Sequence, residues 1–139
     1  MTGPGGFEPT EQQKQEIADW YARYDAWVAA GDVETMADQA LFPLNEVTDD
    51  AQGFALVSAT DRARFVAQMR EVGVGAGDVE MRSRRTPIFL SPAHVFVVTD
   101  AEFGSRDQVT QLRYGDLLVR TPHGWRFQTM VAGGFSADL

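Results

Sequence analysis

A chain of 139 residues is long enough for one ordinary domain and too short for two. Its formal charge of −8 disfavours nucleic acid and the anionic inner membrane face as partners, because an acidic surface repels phosphate. The absence of cysteine excludes disulfides, thiolate nucleophiles and cysteine-held metals. Hydrophobic residues at 44% and charged residues at 23% are an ordinary globular balance, while aromatics at 11% fit either an aromatic-lined cavity or a Phe-rich core. Met1 to Pro9 is Gly/Pro-rich, without a basic segment or an apolar run, so it does not read as a signal peptide. No stretch approaches membrane-spanning length, and the expected location is the cytoplasm.

In chain order, residues 1–9 read as a loose arm and 10–139 as one domain. Thr10 and Gln13 form a capping-box pair opening a helix over Glu11–Ala30. Ile17, Trp20, Tyr21, Tyr24, Trp27 and Val28 fall at i, i+3, i+4, i+7, i+10 and i+11, one stripe of an amphipathic helix. Gly31 ends it and Asp32 caps a second helix, whose spacing runs through Val33, Met36, Ala37, Ala40 and Leu41 until Pro43 stops it. Residues 44–50 and 54–58 read as short extended pieces. A third helix starts near Ser58 or Thr60, with Asp61 in its first turn and Phe65, Met69 and Val72 on its apolar side. Gly73, Gly75 and Gly77 end it. Four runs follow, Asp78–Leu90, Ala93–Phe103, Asp107–Arg120 and Gly124–Ala132, separated by hairpin-length turns. They predict an antiparallel meander, bent by a bulge near Arg84 and Arg85, where charges occupy both faces. The predicted fold class is α+β: three N-terminal helices on a strongly curved antiparallel sheet that closes into a cone around a pocket.

The helix-to-helix corner in AAGDVETMADQALF and the ending RYGDLLVRTPHGWRFQTMVAGG carry a resemblance. Taken with the element order, they resemble the NTF2-like superfamily and its SnoaL-like and ketosteroid isomerase-like members. The resemblance covers nearly the whole chain. It implies a cone-shaped fold and a small-molecule pocket, with no cofactor. The superfamily also contains non-catalytic binding and assembly domains, so fold by itself leaves function open.

At three positions the resemblance to ketosteroid isomerases carries over: Tyr24 on the first helix, Asp49 at the exit of the first strand, and Asp116 in the third long strand. It implies Asp49 as general base and Tyr24 with Asp116 as oxyanion donors, a division of labour that the isomerases exemplify. Each residue also has a structural reading. Tyr24 fits a core tyrosine bonded to a backbone carbonyl. Asp49 or Asp50 fits a cap on the turn TDDAQG, and Asp50 stands where the isomerases tend to have Pro. Asp116 fits an acid paired with Arg113, Arg120 or Arg126. The three-residue site requires Asp49 and Asp116 to converge on one side of the sheet. The pocket wall is expected from Trp20, Trp27, Phe42, Phe65, Met69, Tyr114 and Met130.

Weaker signals add little. His94 and His123 have no carboxylates at ligand spacing, so no metal site is expected. The Gly73–Gly77 run lacks the Lys of a phosphate loop. The Arg82/Arg84/Arg85 cluster is expected to pair with the abundant acids. The expected partners are a small apolar or amphipathic ligand and a second copy of the chain, docked through the apolar convex face of the sheet. The function expected is a cofactor-independent isomerase or lyase acting on a carbonyl compound, or else a binding or dimerisation domain without catalysis.

Overall fold

The computed structural model describes residues 7–73, 80–105 and 108–133. It opens with a 20-residue helix, Glu11–Ala30 (α1). The Thr10 hydroxyl accepts from the Gln13 N–H at 3.1 Å, and the Gln13 side chain accepts from the Thr10 N–H at 2.8 Å. Two of the N–H groups that a helix start leaves unpaired are thereby satisfied. Gly31 ends the helix at φ +70°, a left-handed conformation that a Cβ would strain. Asp32 caps the next helix, Val33–Asp38 (α2).

That second helix is shorter than predicted. Ala40 and Leu41 already belong to the strand Ala40–Asp49 (β1). A residue before proline is driven out of the helical region, so Phe42 and the residues leading to it go extended. The next strand, Ala55–Thr60 (β2), takes in Ser58 and Thr60, the residues expected to start a helix. Asp61 is the true cap: its carboxylate accepts from the Arg64 N–H at 2.8 Å and opens the helix Arg62–Glu71 (α3). Phe65 and Val66 are the buried residues of α3, whereas Val72, expected on its apolar side, is 70% exposed. Val72 is the residue after the last turn, past the surface that α3 presses inward. Gly75 and Gly77 lie outside the described residues.

The strands Glu80–Ser91 (β3), His94–Ser105 (β4), Gln108–Thr121 (β5) and Gly124–Ala132 (β6) form the meander. The six-stranded sheet has the order β2-β1-β6-β5-β4-β3. It is mixed, not wholly antiparallel as predicted: β1 and β6 run parallel. The reason is topological, since the meander returns from the far edge and its fourth strand arrives beside β1 in the same direction as β1. The bulge predicted at Arg84 and Arg85 is absent, and these residues pair in unbroken register with Asp100 and Thr99. The two arginines point to opposite faces, and each meets an acid: Arg84 approaches Asp100 at 4.0 Å, and Arg85 binds Asp25. Irregularities fall instead at Phe89/Ser91, Leu117/Leu118 and Ala40/Asn45.

The described helices, α1, α2 and α3, pack on one face of the sheet. Ile17, Trp20, Met36, Ala37 and Phe65 close against Leu44, Val95, Val97, Leu118 and Phe127. The other face carries Ile88, Phe96, Leu117, Val98, Val131 and Val47 by register parity. No helix among the described residues is long and apolar enough to cross a membrane.

Candidate functional site

Side chains on a strand alternate between faces, and register partners point to the same side. Val97 is fully buried under the helices, which marks its row as inward. Its partners across the sheet are Pro87 on one side and Asp116, Met130 and Glu46 on the other. The next inward row holds Arg85, Thr99, Tyr114 and Ala132. An acid in the middle of a hydrophobic sheet face is costly unless something holds it.

Asp116 is 7% exposed, and the hydroxyl of Tyr21 donates to its Oδ2 at 3.0 Å. Its second oxygen, Oδ1, is buried with no hydrogen-bond partner among the described residues. Burial pushes this carboxyl up to about 6, while the Tyr21 hydrogen bond and the charge of Arg85 pull the other way. Burial, then the neighbouring Asp116, raises the phenol of Tyr21 far above its ordinary value. Tyr21 therefore keeps its proton and donates.

Arg85 lies beside the pair. Its guanidinium carbon is 4.2 Å from the centroid of the Tyr21 ring, a cation–π contact. Asp25 grips it through two nitrogens at 2.5 and 3.0 Å. Arg85 also donates to the Thr99 hydroxyl at 3.3 Å and to the Tyr114 hydroxyl at 3.4 Å. A cleft of about 350 Å³ between α1 and β3 is lined by Lys14, Tyr21, Asp25, Arg85 and Pro87 among others, with Asp116 behind Tyr21 and outside the lining.

Tyr24 is half-buried and stacks on Trp20 with ring centroids 5.3 Å apart. Its phenol is raised first by burial and next by the charge of Asp116, with Tyr114, Asp25 and Arg85 also acting on it. Tyr24 and Asp116 are thus electrostatic neighbours. Asp49 is not part of the group. It lies three residues beyond Glu46 on β1, so it points to the opposite face of the sheet from Asp116. A Cβ placed on Gly133 would sit 2.7 Å from Asp49 Oδ2, which locates that carboxylate beside the residue that follows β6. The turn cap is Asp50, whose Oδ1 accepts from the N–H groups of Gln52 and Phe54, both at 2.9 Å. None of the arginines proposed for Asp116 reaches it, and Arg113 is bound to Asp100 instead, at 2.6 Å.

The residues expected to wall a pocket divide. Trp20 and Phe65 are 4% and 0% exposed and pack with Phe127 inside the core, where the Trp20 indole donates to the Trp125 carbonyl at 3.0 Å. Trp27, Phe42, Met69 and Met130 are partly buried against that core. Tyr114 is partly buried with its hydroxyl at Arg85. His94 is exposed and bonded to the Ser91 hydroxyl at 2.7 Å. Among the described residues, no three His, Asp or Glu side chains are grouped to hold a metal.

Four residues of this group carry no sequence signal for their place in it, although the expected pairing of Arg84 and Arg85 with acids is seen. Tyr21 was on the aromatic stripe, one turn before Tyr24, and only the rotation of α1 decides which phenol meets Asp116. Arg85 and Asp25 were visible as charges but lie 60 residues apart. Glu46 alternates with Leu44 and Thr48, and counting parity from the buried Leu44 places it inward. Its carboxylate accepts a short hydrogen bond from Thr60.

No family model matches the sequence, and no curated protein matches it. Solved structures do match. A putative scytalone dehydratase from Novosphingobium aromaticivorans is 16% identical, with a TM-score of 0.62 over 86% of this chain and 81% of that one. Aln2 from a Streptomyces species is 17% identical, with a TM-score of 0.65 over 91% of this chain and 94% of the other. An NTF2-like protein of unknown function from Pseudomonas putida is 11% identical, with a TM-score of 0.72 over 91% and 89%. The chain has the NTF2-like fold. At these identities the likeness concerns the fold alone, and the roles of Tyr21, Arg85 and Asp116 rest on their own geometry.

Proposed function

We propose that this chain binds a small, mostly apolar carbonyl compound beneath α1 and that Asp116 is the group that takes a proton from it. The observation that carries this reading is the buried Oδ1, without a partner among the described residues, of a carboxyl whose other oxygen is fixed by Tyr21. A polar atom left unpaired in a core asks for a ligand or for a role. A carboxyl poised at about 6 is mostly ionised at neutral pH and still returns a proton readily, which suits a general base.

The roles differ from those that the isomerase resemblance implied. Asp49 faces away, so it is not the base of this site. Asp116 serves as base rather than as a protonated oxyanion donor. In the reaction proposed, Asp116 Oδ1 takes the proton from a carbon next to the carbonyl, and the bonding pair moves into an enolate. The phenol of Tyr24, which keeps its proton, donates to the enolate oxygen. Return of the proton to a different carbon completes an isomerisation, and departure of a β-substituent completes an elimination. Glu46 is the second carboxylate on this face, two strands from Asp116 and therefore about 10 Å away at the backbone.

A second reading has its own observation. Trp20 and Phe65 fill space that a large pocket would need, which favours a binding domain without turnover. Solvent deuterium exchange into a panel of cyclic enones separates the two. Exchange that is lost in Asp116→Asn supports the base. Equal incorporation by wild type and variant across the panel removes Asp116 as the proton carrier and leaves the binding domain.

A further inference from the structure

We infer that Arg85, clamped by Asp25, is a positioning residue that holds the Tyr21 phenol against Asp116 and controls the hold of that carboxyl on its proton. The inference deepens the acid–base reading of Asp116 and rests on it for its functional meaning. The linkage itself is a property of the folded chain and is measurable without any substrate.

The geometry is continuous. Asp25 on α1 binds Arg85 on β3 through two nitrogens, a fork-to-carboxylate arrangement that fixes the guanidinium plane. That plane lies over the Tyr21 ring, and Thr99 and Tyr114 hold its remaining edges. Tyr21 then reaches Asp116. A cation over a phenol ring draws electron density from it and makes its O–H a better donor. The same cation stabilises the charged form of Asp116 across the ring.

The pairing is not a surface ornament. The Arg85 side chain is 14% exposed, against 43% to 83% for the other paired arginines, Arg62, Arg70, Arg84 and Arg113. Screening by water is correspondingly weaker. Among the described residues, the groups that act directly on Asp116 are Tyr21 from α1 and Arg85 from β3; around them stand Tyr24 and Asp25 from α1, Tyr114 from β5 and, across Met130, Glu46 from β1. Arg85 is the one cation in that set and Asp25 is its counter-charge. Removing one or the other must therefore move Asp116 in opposite directions.

The test is the titration of Asp116 by carboxyl NMR in the full chain, compared among wild type, Arg85→Met, Arg85→Lys and Asp25→Asn. Loss of the cation in Arg85→Met raises the proton affinity of Asp116 by about tenfold, as expected for one charge removed from a partly desolvated neighbour. Asp25→Asn lowers it, because the cation is left uncompensated. Arg85→Lys, which keeps charge but not the fork, falls between wild type and Arg85→Met. A merely structural role would move both sites in one direction or neither. If Arg85→Met does not fold, Asp25→Asn and Arg85→Lys decide the matter by the same signs. Shifts of one sign, or no shift, overturn the inference. Because the readout is a titration, it stands whether or not the enone panel shows turnover.

Discussion

Replacing Asp116 by Asn removes one ionisable proton and keeps the shape. The Asn carbonyl can still accept from Tyr21, and its amide occupies the position of Oδ1. Asp116 ionises at 3.8 when unfolded and at about 6 when folded. Below the unfolded value the carboxyl is protonated in both states and contributes no difference. As pH rises, the unfolded chain loses its proton first, so folding stability falls until the folded carboxyl has also ionised. At about 1.4 kcal/mol for each tenfold in proton affinity, the cost is ~3 kcal/mol at pH 8 and roughly half of that at pH 5. Asp116→Asn escapes it. The variant also carries a pH-independent cost for an amide buried at the position of Oδ1, so the expected outcome is the change with pH: Asp116→Asn gains on wild type by roughly 1–2 kcal/mol between pH 5 and pH 8. Urea unfolding followed by tryptophan fluorescence at the two pH values measures this. The other carboxylates titrate in both proteins and cancel in the difference. A difference that does not grow in favour of the variant between pH 5 and pH 8 refutes the account of Asp116 as a strained, desolvated acid. A gain in stability that accompanies loss of function is the usual mark of a site residue.

Two further outcomes follow from the packing of the sheet. A Cβ on Gly115 would lie 2.5 Å from Cζ of Phe96, so Gly115→Ala must push that ring aside on the outer face. The expected cost is about 1–3 kcal/mol in urea unfolding, with Asp116 and Tyr21 one residue and one sheet face away left in place. We also propose that the outer face is where a second copy docks, since Ile88, Phe96, Val98, Leu117 and Val131 share it and Ile88 is 47% exposed. Sedimentation should then show a dimer at micromolar concentration and a monomer for Ile88→Glu, and a monomeric wild type would contradict this.

Local signals were legible wherever the deciding interaction was local. Thr10 and Gln13 cap α1 across three residues, Gly31 ends it by its own backbone freedom, and Thr121 to Gly124 turns β5 into β6. The helix stripe and strand alternation identified Trp20, Phe65 and Asp116 as inward candidates, because periodicity is a property of one element. The boundaries of α2 and α3 were misjudged where apolar spacing fits helix and strand alike, and Pro43 and Asp61 settled them through backbone geometry.

The composition of the chain, its helix caps, its strand alternation and its turn chemistry determined an α+β domain with an acid in the middle of a sheet strand. Only the tertiary structure decided what that acid meets. Asp49 and Glu46 differ by three residues and so by one face of a pleated sheet, and the register of β1 on β6 decides which of them looks toward Asp116. Tyr21 and Tyr24 differ by one helical turn, and the docking of α1 decides which hydroxyl reaches the carboxyl. Arg85 and Asp25 have no sequence relation at all. Charges 60 residues apart find each other only when a helix is laid across a sheet, because the Coulomb energy that pairs them is set by distance in space.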